Sequence, residues 1–170
     1  GSARSERAFS TQPLCGLRFP NNFNRKNQMN IAFFLHPKGT VDYLYDDITV
    51  RQAIEKLRVN GYTAIPVISR DGVYVTTIAH GDLLWYLWNS AENTEDRSIR
   101  IRELEKTPIM SIVRKDKNPP CFITDKPEDL VFRAMEQNFI PVVDDTKCFI
   151  GIVTRRDILK YLATSTDKNF

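Results

Sequence analysis

Residues 65–87 read IPVISRDGVYVTTIAHGDLLWYL, and residues 140–162 read IPVVDDTKCFIGIVTRRDILKYL. The two stretches align without a gap at an offset of 75 residues, and seven of their 23 positions are identical. Each stretch contains two runs of β-branched residues separated by a turn, which predicts a β-hairpin. A helix is predicted to follow each hairpin, beginning at His80 in the first stretch and at Arg155 in the second. An internal repeat of this length indicates a duplicated structural unit.

An amphipathic helix is predicted before each hairpin. Thr49 and Gln52 have the spacing of a capping box, and apolar residues then recur at helical intervals up to Gly61. In the second half Pro127 suits the first position of a helix, and a short strand is predicted at residues 121–123. The order helix–strand–turn–strand–helix therefore occurs twice.

The composition excludes several classes of protein. The chain has a net charge of +3, and its first 30 residues carry five basic side chains and one acidic side chain. The remainder of the chain is therefore nearly neutral, and nucleic-acid binding is not expected. No run approaches the roughly 18 apolar residues of a membrane span. Three scattered cysteines and two histidines indicate neither a disulfide framework nor a metal site, and they fit a reducing cytoplasm. The common catalytic motifs are absent, so no enzyme is expected.

The first 28 residues show no steady apolar period. Because Gly1-Ser2 is a common remnant of tag removal and Met29 is a plausible start, residues 1–28 are expected to be wholly or partly foreign to the natural chain. The alternative is a natural tail, basic and poor in acidic residues, similar to a transit peptide. The predicted division of the chain is a tail at residues 1–30, a first repeat with its linker at 31–100 and a second repeat at 101–170.

The start of the last predicted helix has the chemistry of a nucleotide site. Thr154 lies where a strand ends and a helix begins, where free backbone N–H groups and the helix dipole attract phosphate. The guanidinium groups of Arg155 and Arg156 add charge in a geometry suited to phosphate oxygens. Asp157 can accept hydrogen bonds from a ribose diol. The same pattern is typical of an ordinary helix N-cap, and that alternative stays open.

Two phrases carry a resemblance to a known family. Residues 151–157 read GIVTRRD and residues 61–67 read GYTAIPV. Together with the duplication, they resemble the CBS (cystathionine-β-synthase) domain over roughly residues 36–163. The resemblance implies an α/β (α+β) fold of two pseudo-symmetric βαββα repeats packed sheet to sheet, as in a standalone bacterial CBS-domain protein. It also implies a regulatory module that binds AMP, ADP, ATP or a cyclic dinucleotide, without a cofactor.

The resemblance further implies a principal site built from both repeats. The motif of the second repeat is expected to face the start of the second strand of the first repeat, with the loop at residues 38–42 as a wall. The predicted site residues are Thr154, Arg155, Arg156, Asp157, Tyr62, Thr63, Ala64, Lys38 and Asp42.

A second, weaker site is expected at the pseudo-symmetric position. There Thr76 and Ala79 replace the glycine and the threonine of the motif, and no arginine follows. A bulky phenylalanine on the opposite side could fill the space for a base. The residues predicted for this site are His80, Asp82, Asn138 and Phe139.

The sequence leaves the function with two alternatives to nucleotide sensing. The chain could be a dimerising interaction scaffold with a vestigial site, or it could bind S-adenosylmethionine, although the paired arginines favour a phosphate-bearing ligand. The helix from His80 is apolar on all sides, so Trp85, Tyr86 and Trp88 are expected to lie in a homodimer interface. Any regulatory output would pass to an effector protein that the sequence does not name.

Overall fold

A computed structural model describes residues 30–93, 95, 101–115 and 117–166. The strands are β1 His36–Pro37, β2 Leu44–Tyr45, β3 Ala64–Ile68, β4 Tyr74–Ala79, β5 Cys121–Phe122, β6 Phe139–Val143 and β7 Phe149–Thr154. The helices are α1 Val50–Asn60, α2 His80–Glu92, α3 Ile101–Lys106, α4 Pro127–Glu136 and α5 Arg155–Thr166. Short 3-10 helices span Ile31–Phe33, Lys38–Thr40 and Ile109–Ser111.

The described strands form two sheets, one for each repeat. The first has the order β2-β3-β4 and the second the order β1-β7-β6-β5. In each sheet a two-residue strand runs parallel to the first strand of an antiparallel hairpin. With α1 and α2 in one half and α4 and α5 in the other, the predicted βαββα order and the α/β fold class are confirmed.

The helix starts follow the local sequence. The Thr49 side chain accepts a hydrogen bond from the Gln52 backbone, and the Gln52 side chain accepts one from the Thr49 backbone, so the predicted capping box is present. Gly61 ends α1 in the left-handed conformation that glycine adopts without strain. Pro127 occupies the first turn of α4 as predicted.

The hydrophobic cores exchange segments between the two halves of the chain. Ile31 and Phe34 are buried in the core of the second repeat, and β1 pairs with β7. In return Ile109 and Leu104 pack in the core of the first repeat. The predicted division between residues 100 and 101 therefore does not coincide with the packing, because the segment leading into each repeat completes the core of the other.

The two repeats meet at their hairpins. Phe149 N donates to Gly72 O at 2.8 Å, and Tyr74 N donates to Lys147 O at 3.2 Å. The ring of Phe149 is fully buried there, with its centroid 6.4 Å from that of Tyr74 and 6.2 Å from that of Tyr43. This contact holds the two sheets in one arrangement and thereby sets the position of the helix starts.

Candidate functional site

The predicted motif lies at the junction between β7 and α5. The Thr154 hydroxyl donates to Asp157 Oδ2 at 2.7 Å, and the Asp157 backbone N–H donates back to Thr154 Oγ1 at 3.2 Å. The N-cap alternative is therefore realised, and the threonine and the aspartate hold each other in place. Asp157 itself stays partly exposed at the helix start.

His36 is a site residue that the sequence did not reveal. Its Nε2 lies 2.5 Å from Asp157 Oδ2. The hydrogen bond from His36, followed by the one from Thr154, holds the pKa of the Asp157 carboxyl below its ordinary value. The contact ties the segment before the first repeat to the motif of the second.

Gly151 allows this approach of His36. In the register of β1 and β7, Pro37 lies opposite Gly151, and a Cβ built on Gly151 would lie 2.1 Å from the His36 carbonyl oxygen. A glycine inside a strand often marks a close approach of another backbone. That signal was present in the motif and could have predicted a partner strand at this position.

The loop at residues 38–42 connects the two predicted halves of the site. Its 3-10 helix, Lys38–Thr40, contacts β7. Further along, Asp42 accepts a hydrogen bond from the Tyr62 hydroxyl at 2.7 Å, which raises the pKa of that hydroxyl above its ordinary value. The ammonium of Lys38 lies 5.2 Å from the centroid of the Tyr43 ring. The structure thus brings the 3-10 helix that contains Lys38 against β7 and brings Asp42 beside Tyr62.

Strand pairing within each repeat positions most of the remaining predicted residues. His80 N donates to Thr63 O at 3.0 Å, and Ala64 pairs with Ala79. Likewise Arg155 N donates to Asn138 O at 2.9 Å, and Phe139, which is buried, pairs with Thr154. Strand pairing therefore places Asn138 and Phe139 next to the principal motif. The arrangement of Tyr62, Thr63 and Ala64 opposite that motif stays a prediction.

The two arginines of the motif differ in their environment. The Nε of Arg155 donates to Ala134 O at 2.6 Å, at the end of α4. Arg156 is exposed to solvent. Arg156 therefore carries the charge that is freer to meet an anion at this helix start.

A corresponding junction in the first repeat presents Asp82. Its Oδ2 accepts a hydrogen bond from Ala79 N at 2.8 Å. The ammonium of Lys117 lies 2.9 Å from Oδ1 and 2.8 Å from Oδ2. Like His36, Lys117 comes from the segment that leads into the other repeat, so each of the two aspartates is paired with a basic side chain distant in sequence. Sequence reasoning missed Lys117 as well.

The helix α2 divides its apolar residues between the core and the surface. Leu83 is buried and Tyr86 packs against the first-repeat core, with its hydroxyl oxygen 3.0 Å from Thr107 Oγ1. Tyr86 is thus partly buried against the first-repeat core, and its expected interface role stays a prediction. Trp85 and Trp88 are exposed.

The described part of the chain also bears on two other kinds of site. None of its helices has the length and apolar character that crossing a membrane requires. Within the same residues, no three or more side chains of His, Cys, Asp or Glu are grouped so that they could hold a metal ion.

Solved structures share this architecture. CbpB in complex with c-di-AMP is 25% identical to the chain, with a TM-score of 0.69 over 82% of this chain and 88% of the other. A hypothetical conserved protein from Geobacillus kaustophilus is 24% identical, with a TM-score of 0.71 over 82% of this chain and 99% of the other.

Two proteins of Methanocaldococcus jannaschii are similar in sequence. An uncharacterised protein is 27% identical over 135 residues, which are 72% of this chain and 46% of that protein. Inosine-5'-monophosphate dehydrogenase is 27% identical over 117 residues, which are 67% of this chain and 20% of the enzyme. The chain thus spans less than half the length of either relative.

The sequence also matches one domain family twice. The CBS domain matches residues 39–89 and residues 111–164. The two matches together cover more than half of the 170 residues, and each contains one of the two hairpins and the helices beside it. The chain therefore belongs to the CBS-domain family and carries two CBS domains in tandem.

Proposed function

We propose that the chain is a regulatory module that binds an adenine nucleotide between its two CBS domains and catalyses no reaction. One observation carries the proposal: the Asp157 carboxylate is fixed at the start of α5 by Thr154 and by His36, which lies 121 positions earlier in the chain. CbpB, which is 25% identical, has been solved with c-di-AMP bound, and this supports an adenine nucleotide as the ligand.

The hydrogen bonds of the motif indicate how a nucleotide would be held. Asp157 would accept hydrogen bonds from ribose hydroxyls. The backbone N–H groups of Arg155 and Asp157 already have hydrogen-bond partners. Phosphate oxygens would therefore be bound mainly by side chains, and we assign this role to Arg156 and Lys38. Tyr62, Thr63 and Ala64 would contact the base from the first repeat. The two positive side chains favour a phosphate-bearing nucleotide over S-adenosylmethionine, because they do not attract its positively charged sulfonium group.

The contact with His36 offers a route from binding to regulation. A ribose hydroxyl that bonds Asp157 through Oδ2 would compete with His36 for that oxygen, and His36 belongs to the segment that enters the first repeat. A ligand shifts a conformational equilibrium only by its different affinity for the two states. Binding would therefore favour a state in which this segment has moved, and we propose that an effector protein in the cytoplasm reads that movement.

Thermal unfolding with AMP, ADP, ATP, c-di-AMP and S-adenosylmethionine tests the proposal. A ligand at 100 times its Kd should stabilise the chain by about 2.7 kcal/mol, which is roughly 5–10 °C in Tm for a chain of this size. We expect the shift with one phosphate-bearing nucleotide and its loss in Asp157→Ala. Asp47→Ala is the matched control, since Asp47 is an exposed partner of Arg70. If none of the five ligands shifts the parent, the interaction scaffold becomes the better hypothesis.

We also propose that the module forms a homodimer through α2 and α5. Leu84 and Trp88 on α2 and Leu159 on α5 are large apolar side chains that are more than half exposed. Leu84→Glu combined with Leu159→Glu should convert the dimer to a monomer, because two charges per chain would have to be buried. Light scattering after gel filtration measures the mass. Ile101→Glu, an equally exposed apolar position on α3, should leave the mass unchanged; a monomeric parent would contradict the proposal.

A further inference from the structure

One oxygen of the Asp157 carboxylate already has two hydrogen-bond donors. Its Oδ2 accepts a hydrogen bond from His36 Nε2 at 2.5 Å and another from the Thr154 hydroxyl at 2.7 Å. An ionised carboxylate has about four acceptor positions, two on each oxygen. The two donors therefore fill Oδ2, and a further donor can bind this oxygen only by displacing one of them.

The other carboxylate oxygen, Oδ1, accepts no hydrogen bond from the part of the chain that the structure describes. The side chain of Asp157 is 28% exposed and that of His36 is 46% exposed, so a ligand can reach both. The two oxygens therefore differ. Oδ1 can accept a hydrogen bond from a ligand directly, whereas Oδ2 can do so only after it loses one of its present donors.

The donor most open to displacement is His36, and its hydrogen bond is a strong one. The contact with His36, followed by that with Thr154 and by the nearby charge of Lys160, lowers the pKa of the Asp157 carboxyl, so the carboxylate is ionised at neutral pH. A hydrogen bond to an ionised acceptor is stronger than one between neutral groups. The pairing of β1 with β7 also holds the backbone of His36 in place before a ligand arrives. A ligand that displaces the imidazole therefore loses much of what it gains at Oδ2.

A ribose with two free hydroxyls and a ribose with one differ in how they bind such a carboxylate. A free 2′,3′-diol can donate two parallel hydrogen bonds, one to each oxygen, and the second of these has to replace the bond from His36. A ribose with one esterified hydroxyl, as in a 3′,5′-phosphodiester, donates a single hydrogen bond. That bond can go to Oδ1 and leave His36 in its place.

We propose that His36 is a specificity-determining residue that cancels the advantage of a free ribose diol at Asp157. The inference rests on the proposed nucleotide function and adds the ligand class. Adenine nucleotides with one free ribose hydroxyl bind as well as those with two. The two classes also act differently on the segment that enters the first repeat, because a free diol displaces His36 and a single hydroxyl does not.

Isothermal titration calorimetry with AMP, 2′-deoxy-AMP, 3′-deoxy-AMP and c-di-AMP tests this role of His36. One of the two deoxy nucleotides should bind the parent within about threefold of AMP, which is less than the factor expected for a hydrogen bond to a charged group. In His36→Ala both carboxylate oxygens are open to the diol. AMP should then bind about tenfold more tightly than it binds the parent, and both deoxy nucleotides should bind about tenfold more weakly than AMP. The Kd of c-di-AMP should stay within about threefold of its value for the parent.

Two further variants separate the hydrogen bond from a general effect of removing the ring. His36→Gln supplies an amide N–H donor in place of the imidazole and should restore the small difference between AMP and the deoxy nucleotides. Arg58→Ala removes an exposed side chain of α1 and should leave every Kd unchanged. An equal effect of His36→Gln and His36→Ala would overturn the proposal, because the loss of the ring would then matter more than the loss of the donor.

The same titrations distinguish failure of this inference from failure of the proposed function. If the parent binds a nucleotide and His36→Ala leaves the ratio of the AMP and deoxy-AMP Kd values unchanged, His36 does not determine specificity and the nucleotide function stands. The same conclusion follows if c-di-AMP binds the parent while AMP binds neither the parent nor His36→Ala. If none of the four ligands binds either protein, the nucleotide function and the inference that rests on it are both overturned.

Discussion

Gly151→Ala is expected to lower the free energy of unfolding by about 3 kcal/mol, at the upper end of the usual cost of overpacking. The added Cβ would lie 2.1 Å from the carbonyl oxygen of His36 and 2.9 Å from a methyl carbon of Leu35. A backbone carbonyl cannot rotate away as a side chain does, so β1 would have to leave β7. Urea unfolding measures the loss.

Gly81→Ala is the matched control for this substitution. A Cβ on Gly81 would meet nothing within 4 Å, and the residue lies inside α2. Alanine there should be neutral or should stabilise the chain by up to about 1 kcal/mol, as in other helices. If both variants were as stable as the parent, the backbone of His36 would not lie against Gly151, and the contact between His36 and Asp157 would lose its structural basis.

Phe149→Ala is expected to cost about 3–5 kcal/mol, the range for removing a large buried ring. Phe149 is 1% exposed and packs between the rings of Tyr43 and Tyr74, where the hairpins of the two repeats meet. Few neighbours there can close the cavity, since the backbones of both hairpins are joined by hydrogen bonds at the same point. Denaturant unfolding of parent and variant gives the difference.

An exposed phenylalanine gives the comparison for this second variant. Phe132 on α4 is 73% exposed, so Phe132→Ala should change the free energy of unfolding by no more than about 0.5 kcal/mol. A loss from Phe149→Ala that is as small as the loss from Phe132→Ala would show that the two hairpins do not pack around this ring in solution.

The two aspartates at the helix starts show what pseudo-symmetry does and does not preserve. Asp82 and Asp157 occupy equivalent positions in the two repeats, and each contacts a basic side chain from a segment distant in sequence. The partner of Asp157 is His36 on β1, a strand that can approach β7 because residue 151 is a glycine. The partner of Asp82 is a lysine in a turn held by Thr76. The same backbone plan therefore places a different basic side chain against each aspartate.

The local elements could be predicted because their causes are local. The capping box at Thr49, the proline at the start of α4 and the alternation of the hairpins each depend on residues within a few positions of one another. The repeat at an offset of 75 residues then assigned both halves to one fold. The position of Thr154 and Asp157 at a helix start follows from the same short-range rules.

The contacts of the site could not be predicted in the same way. His36 and Asp157 are 121 positions apart, and Lys117 and Asp82 are 35 apart. No periodicity or turn signal relates such residues, since either basic side chain could equally face solvent. Only Gly151 hinted at a neighbour, and it could not say which segment that neighbour would be.

The duplicated βαββα unit, the helix starts and the residue types that could bind a nucleotide can all be read from the order of the amino acids. The packing of the whole chain was needed to show that Ile31 and Phe34 complete the second core while Ile109 completes the first. It was also needed to show that each aspartate meets a basic side chain from the segment entering the opposite repeat. The two kinds of feature differ because they depend on interactions over different distances along the chain. Secondary structure follows from interactions between near neighbours, whereas the exchange of segments depends on which apolar surfaces remain uncovered once both repeats have formed.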